Sequence, residues 1–186
     1  YVNLSNSDFA WSNLGNTKIS NVNFTQANLS HTDLSGKDLT GTILTGADLS
    51  GAKLVGVDIS GKDLTGTILT GADLSDAILT GADLTGKDLT GTILINANLE
   101  NASLENVKFL DANLFRANLA NADLTNIFLV DSNLENATLT GADLTNVILT
   151  DAIFTGVDLS GVDLSGTIHT GYDLSGKDLT GTILTG

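Results

Sequence analysis

The chain has 186 residues, a formal net charge of −14, a hydrophobic content of 41% and no cysteine, proline or methionine. The lack of cysteine excludes disulfides and thiolate metal sites, and the chain is too apolar to be disordered. Only two histidines are available for a metal site or a His-based catalyst. The longest apolar run is the four residues 127–130, so we expect a soluble chain without a membrane span.

An apolar residue stands at every fifth position from Leu4 to Leu184, without insertion or deletion. We call these 37 positions centres; 30 are Leu, four are Phe, two are Ile and one is His169. The residue two before a centre is mostly small, and the residue directly before it is usually Asp or Asn. A period of five fits neither a helix nor a plain strand, so each unit must be one short extended face followed by one turn.

The turn residue lies two positions after each centre, and we call this position the corner. Nineteen of the 20 glycines occupy corners, together with ten Asn and four Asp. These residues tolerate a left-handed backbone or form local turn hydrogen bonds. The remaining corners are Trp11, Gln26, His31 and Arg116. A centre and the small residue two before it point to the same side of an extended face, which must be the interior. The residue between them occupies an outward slot.

The consensus repeat is Ala-Asp-Leu-Thr-Gly, and repeats such as Ala-Asp-Leu-Ser-Gly at 47–51 and Ala-Asp-Leu-Thr-Asn at 142–146 follow it closely. This A(D/N)LXX pattern resembles the pentapeptide-repeat family over the whole chain. The resemblance implies an all-β fold, a right-handed quadrilateral β-helix in which four repeats form a coil of 20 residues. The chain would then be a single domain over 1–186 with about nine coils. Each residue would stack on the one 20 positions later.

A longer block, Gly-Lys-Asp-Leu-Thr-Gly-Thr-Ile-Leu, places Lys37, Lys62, Lys87 and Lys177 in the inward small slot. The first three are 25 residues apart, so they advance by one face per copy and form no ladder. An unpaired buried ammonium has a lowered pKa and is costly, so we expect the stem in the core and the charge at a corner. A functional buried lysine is the alternative.

Residues near the two ends of the chain differ from the repeat pattern. His169 and Tyr172 are inward misfits, which indicates either a loosened last coil or a ligand pocket. Trp11 is expected to cover the open first coil. Both termini are in register without a cap, which predicts that the chain is processed from a longer one or stacks end to end as a homo-oligomer.

Stacking at 20 residues predicts two ladders of carboxylates on the surface. One occupies outward slots and the other occupies corners: Asp123, Asp143 and Asp163, and Asp111, Asp131 and Asp151. Carboxylates about 4.8 Å apart repel one another, so these ladders should have raised pKa values or attract cations such as calcium. The alternative is a solvated acidic surface with local turn hydrogen bonds, with no metal site and no cofactor.

Outward apolar residues gather beside the corner ladder on consecutive coils. They are Leu110, Phe128, Val130, Ile148 and Ile168. A contiguous exposed apolar surface often marks a contact site, here for an unknown protein partner or for a second copy lying side by side. Ordinary covering of the sheet is the alternative.

No His-containing triad can be assembled around a cleft, so the sequence predicts no enzyme activity. An acidic rod repels phosphate, which argues against direct nucleic-acid binding. The favoured function is a structural or protein-interaction module. The family resemblance implies an alternative, a DNA-mimicking protector of DNA gyrase or of a related DNA-binding protein. The 22 acids over a rod of roughly 45 Å would give one charge per ~2 Å, near the ~1.7 Å of duplex DNA.

Overall fold

The computed structural model of the chain describes residues 1–168 and 182–183. Its two strands, β1 (Val2–Asn3) and β2 (Val22–Asn23), are parallel and pair in a register of 20 residues. Isolated parallel bridges continue this pairing along the chain, from Asp8↔Asn28 onward. One coil is therefore 20 residues, or four repeats, as the family resemblance implies. Among the described residues there is no helix that could cross a lipid bilayer.

Between positions 6 and 166, every corner except Asn126 is a tight turn closed by a backbone hydrogen bond. The N–H three residues after a centre donates to the carbonyl of that centre, as from Ala27 to Phe24 at 2.9 Å. Between positions 6 and 166, every corner residue except Asn16 has a positive φ. A positive φ at the third residue of a four-residue turn is the pattern of a type II turn, which favours Gly and Asn. Four such turns per coil give a four-sided β-helix.

Backbone hydrogen bonds join each coil to the next on every regular face. The N–H of a centre donates to the outward residue of the following coil, as from Leu29 to the Asp48 carbonyl at 2.7 Å. The N–H of an outward residue donates to the previous coil, as from Asp48 to the Ala27 carbonyl at 2.9 Å. These paired bonds fix the register, so any side chain can be placed on the surface by counting in twenties.

The core is a column of centres flanked by the small residues of the inward slots. The centres from Ile19 to Leu164 are buried, whereas those of the first coil, including Leu4 and Phe9, are only partly buried. Threonines in the inward slot satisfy their hydroxyls at corners, as from Thr42 Oγ1 to the Ile19 carbonyl at 2.8 Å. The interior therefore contains polar atoms with partners. The expectations for His169 and Tyr172 lie outside the described residues.

Three lysines occupy the same inward slot and bond the corner of the coil below. Lys62 Nζ donates to the carbonyls of Leu39 at 2.5 Å and Thr42 at 3.3 Å. Lys87 makes the equivalent bonds to Leu64 and Thr67, and Lys37 bonds the carbonyls of Gly15 and Thr17. Each side chain is half-buried, which agrees with a stem in the core and a charge at a corner. Lys177 lies outside the described residues.

The β-bridges between outward residues of adjacent coils are interrupted near the corners that these lysines bond. Within residues 1–168, the outward pairs without a bridge are 18/38, 38/58, 43/63, 63/83, 68/88 and 138/158. All but the last lie on faces next to a corner occupied by one of the three lysines. A four-carbon stem and an ammonium stand here in slots that hold Ala or Thr in most repeats, and the bridges beside them are missing. We call the interrupted region, residues 17–88, the lysine seam.

Candidate interaction surface

An apolar surface crosses three consecutive coils on one face. Phe128, Ile148 and Ile168 pair in sequence, each bridged to the next. Phe128 is 39% exposed and Ile168 is 52% exposed, while Ile148 is half-buried between them. Leu110 and Val130 lie beside these side chains and are half-buried. These five residues, which we call the apolar row, come together as the 20-residue spacing predicts.

Three aspartates form the edge of the apolar row. Asp111, Asp131 and Asp151 are exposed and occupy corners with φ of 55–56°. Asp tolerates this left-handed conformation better than most residues do, because its short polar side chain can hydrogen-bond locally. We call these residues the Asp edge. Two apolar columns and one carboxylate column thus run side by side along the helix axis.

The other predicted acidic ladder lies on the neighbouring face. Asp123, Asp143 and Asp163 are bridged in sequence on consecutive coils. The Oδ1 atom of each accepts a hydrogen bond from the backbone N–H two residues later, at 3.0, 2.9 and 2.8 Å respectively. This Asx turn recurs in outward slots along the chain, and Asn makes it equally well, as Asn28 does. Each carboxylate of this ladder is therefore held in place by a hydrogen bond within its own turn.

The expectation that ladder carboxylates have raised pKa values is wrong where a shift is resolved. The pKa of Asp163 lies below its usual value, because the hydroxyl and the backbone N–H of Ser165 both bond the carboxylate. The pKa values of Asp63 and Asp83, in the same column, are lowered in the same way by the threonines two residues later. Within the described residues, no three His, Asp or Glu side chains are arranged to hold a metal ion.

Trp11 does not cover the first coil. Its indole is 75% exposed and stacks on the imidazole of His31, with ring centroids 4.0 Å apart and planes 14° apart. Both residues occupy left-handed corners, at positions 20 apart. The spacing alone could have predicted this pair. The imidazole in turn lies over Gly51, where an added Cβ would come within 2.4 Å of the ring.

Comparison with known proteins agrees with this architecture. The family model for pentapeptide repeats matches in eight copies, spread over residues 23–166. A pentapeptide repeat protein from the thylakoid lumen of Arabidopsis thaliana is 30% identical, with a TM-score of 0.53 over 54% of this chain and 70% of that chain. A search of curated protein sequences gave no match.

Two further solved structures align with nearly the whole chain. Trypsin-treated QnrB1, a plasmid-mediated fluoroquinolone resistance protein, is 21% identical over 98% of this chain and 86% of its own, with a TM-score of 0.49. HetL, involved in heterocyst differentiation regulation in the cyanobacterium Nostoc sp. strain PCC 7120, is 29% identical over 99% and 85%, with a TM-score of 0.36. The repeat, its 20-residue coil and the family match together show that this chain belongs to the pentapeptide-repeat family and folds as a right-handed β-helix.

Proposed function

We propose that this chain is a non-enzymatic protein-interaction module whose contact surface is the apolar row with its Asp edge. The observation that carries the proposal is the pairing of Phe128, Ile148 and Ile168 in adjacent coils, in slots that most often hold Asp or Asn. Burying their exposed parts against a partner would contribute about 1–2 kcal/mol each. A surface of this kind is costly to leave in water and suits a contact site.

The charge of the Asp edge favours a partner with basic residues beside an apolar surface. Asp111, Asp131 and Asp151 repeat once per coil, so three cationic groups in a row could face them. The net charge of −14 would add long-range attraction for such a partner and would speed the encounter at low salt. A second copy of the chain brings the same negative charge, and for this reason we favour a different protein.

The test compares two double variants that change the same kind of residue in the same kind of slot. Phe128→Asn with Ile148→Asn removes the apolar row, and Ile78→Asn with Ile153→Asn removes exposed isoleucines from other faces. Asn occupies outward slots naturally, so both variants should fold. A photo-crosslinking residue at position 168 identifies the partner in cells of the source organism, and binding of that purified protein is then measured.

We expect the Phe128/Ile148 variant to bind at least about tenfold more weakly, and the Ile78/Ile153 variant to bind like the parent. Asp131→Asn should mainly slow association and weaken its salt dependence. Equal binding by both double variants would remove the apolar row as the contact surface. Sedimentation velocity on the same proteins tests side-by-side or end-to-end self-association.

A second candidate is a DNA-mimicking regulator of gyrase or of a related DNA-binding protein. The observation that favours it is that carboxylates occupy all four faces, for example Asp48, Asp58, Asp73 and Asp83 on four successive columns. Such a mimic would alter DNA supercoiling by gyrase at micromolar protein, and gyrase would lose its bound DNA in a gel-shift assay. Neither effect is expected if the apolar row is the working surface.

A further inference from the structure

A surface hollow of about 550 Å³ opens within the lysine seam. It lies between residues 61–66 of one coil and 81–87 of the next. The ammonium of Lys87 occupies the corner between these segments, where it bonds the carbonyls of Leu64 at 2.7 Å and Thr67 at 3.1 Å. This side chain is larger than the Ala or Thr found in most inward slots, and the outward pair 63/83 beside it has no bridge.

The same face two coils higher has the backbone hydrogen bonds that the hollow lacks. There Leu104 N–H donates to the Asp123 carbonyl at 2.8 Å, Asn106 N–H to Thr125 at 3.0 Å, and Asp123 N–H to Ala102 at 3.0 Å. These three bonds close the face between the two coils. Each residue that they join stands 40 positions after its equivalent at the hollow.

At the hollow itself, none of the three equivalent bonds is present within the described chain. The N–H groups of Leu64, Gly66 and Asp83 have no protein acceptor there, although Leu64 is buried. The carbonyls of Lys62, Asp83 and Thr85 likewise receive no bond from the described protein. Buried backbone groups are nearly always paired with protein, water or a ligand. The lower side of the hollow therefore presents two donors, the N–H groups of Leu64 and Gly66, and the upper side presents two acceptors, the carbonyls of Asp83 and Thr85. One further pair, the Asp83 N–H and the Lys62 carbonyl, runs in the opposite direction.

Charged side chains of both signs line the hollow beside these unpaired backbone groups. The Lys87 ammonium lies at the corner beside the Leu64 and Gly66 N–H groups, where an anionic oxygen would meet three donors. Asp63 and Asp83 also line the hollow, where a cationic nitrogen would meet carboxylates and the free carbonyls. A purely anionic ligand would be repelled by the aspartates, and a purely cationic one by the lysines.

We propose that this hollow binds a small zwitterion of the amino-acid type. Its carboxylate accepts from the N–H groups of Leu64 and Gly66 and from Lys87, and its ammonium donates to the Asp83 and Thr85 carbonyls. The ligand thereby replaces the missing bonds between the two coils. The volume leaves room for a side chain beyond the backbone of an α-amino acid.

The probes are glycine and β-alanine, titrated into ¹⁵N-labelled protein and followed by amide chemical shifts. For ligands of this size we expect a Kd of about 1 mM. The amides of Leu64, Gly66 and Asp83 should shift and saturate together, while the amides of Leu104 and its neighbours stay unchanged. Acetate and methylamine, which each carry half of the ligand, should bind at least about tenfold more weakly.

Two variants that each remove one lysine test whether binding needs the hollow or only the positive charge of the protein. Lys87→Thr replaces the long lysine side chain by Thr, the residue found at position 67 in the same slot one coil below. The missing backbone bonds should then form between the two coils, and the ligand-induced shifts should disappear. Lys108→Thr replaces an exposed lysine in an outward slot that is bridged to the coils on both sides, and its binding should match the parent. The proposal is overturned by shifts that persist in Lys87→Thr, by acetate binding as tightly as glycine, or by no saturable shift up to about 50 mM.

Discussion

Replacing Lys62 by Thr should stabilise the protein, although it removes two ammonium hydrogen bonds. The Lys62 ammonium bonds the Leu39 carbonyl, which lies 23 residues earlier in the chain. Thr67 bonds the residue 23 positions before it through its hydroxyl, at 2.9 Å. A threonine at position 62 would therefore keep the bond to Leu39 and remove the stem that separates the coils.

The gain comes from backbone hydrogen bonds that the lysine prevents. On one side of its corner these are the bonds from Leu44 N–H to Asp63 and from Asp63 N–H to Thr42, and the adjoining face lacks two more around Asp58. Four such bonds at roughly 0.5–1 kcal/mol each give about 2–4 kcal/mol. Lost contacts of the lysine stem and ammonium offset roughly 1–2 kcal/mol of this. The midpoints of these two ranges leave a net stabilisation of about 1.5 kcal/mol, or roughly 3–6 °C in Tm.

Amide hydrogen exchange locates the effect, because a repeat protein can open one coil at a time. In Lys62→Thr, the amides of Leu44 and Asp63 should exchange about tenfold more slowly, while those of Leu104 and Leu114 stay unchanged. Lys108→Thr, with the same change of charge on a closed face, should leave Tm within about 1–2 °C of the parent. Faster exchange at Asp63, or a lower Tm in Lys62→Thr, would show that the lysine holds the coils together.

Three other substitutions test the core, a corner and an Asx turn. Phe109→Ala should cost about 3–5 kcal/mol in chemical denaturation because the ring is fully buried, and a cost below ~1 kcal/mol would contradict a filled interior. Gly51→Ala places Cβ against the His31 ring and should cost at least about 2 kcal/mol, whereas Gly56→Ala, with open space around it, should cost about 1 kcal/mol. The folded-state pKa of Asp163 is below its unfolded value, so its carboxylate stabilises the fold above about pH 4 and loses this effect as pH falls through the folded pKa. Asp163→Asn keeps the acceptor and should therefore lose less Tm between pH 5 and 2 than the parent; an equal loss would assign the acid sensitivity to other groups.

Most of the fold could be predicted because its rules are local and repeat every five residues. Centres, corners and outward slots follow from residue type, and the 20-residue coil places Phe128 beneath Ile148. The same count places Trp11 beneath His31. The lysine seam could not be predicted in this way, because it depends on whether the stem of Lys62 fits within the spacing between two coils. The repeat pattern places Lys62 in an inward slot, but it does not specify how far apart the two coils lie.

The Asx turns change how the negative charge should be interpreted. An outward Asp caps the N–H two residues later, so much of the charge of −14 serves the turns of the helix whether or not a partner exists. Phe128 and Ile148 give up that capping bond and expose apolar surface instead. The fold explains Asp and Asn in outward slots, because their side chains cap the turn. It does not explain apolar residues there, which lose the capping bond and expose apolar surface to water. For this reason the apolar row, rather than the acidity of the whole surface, is the stronger basis for a function.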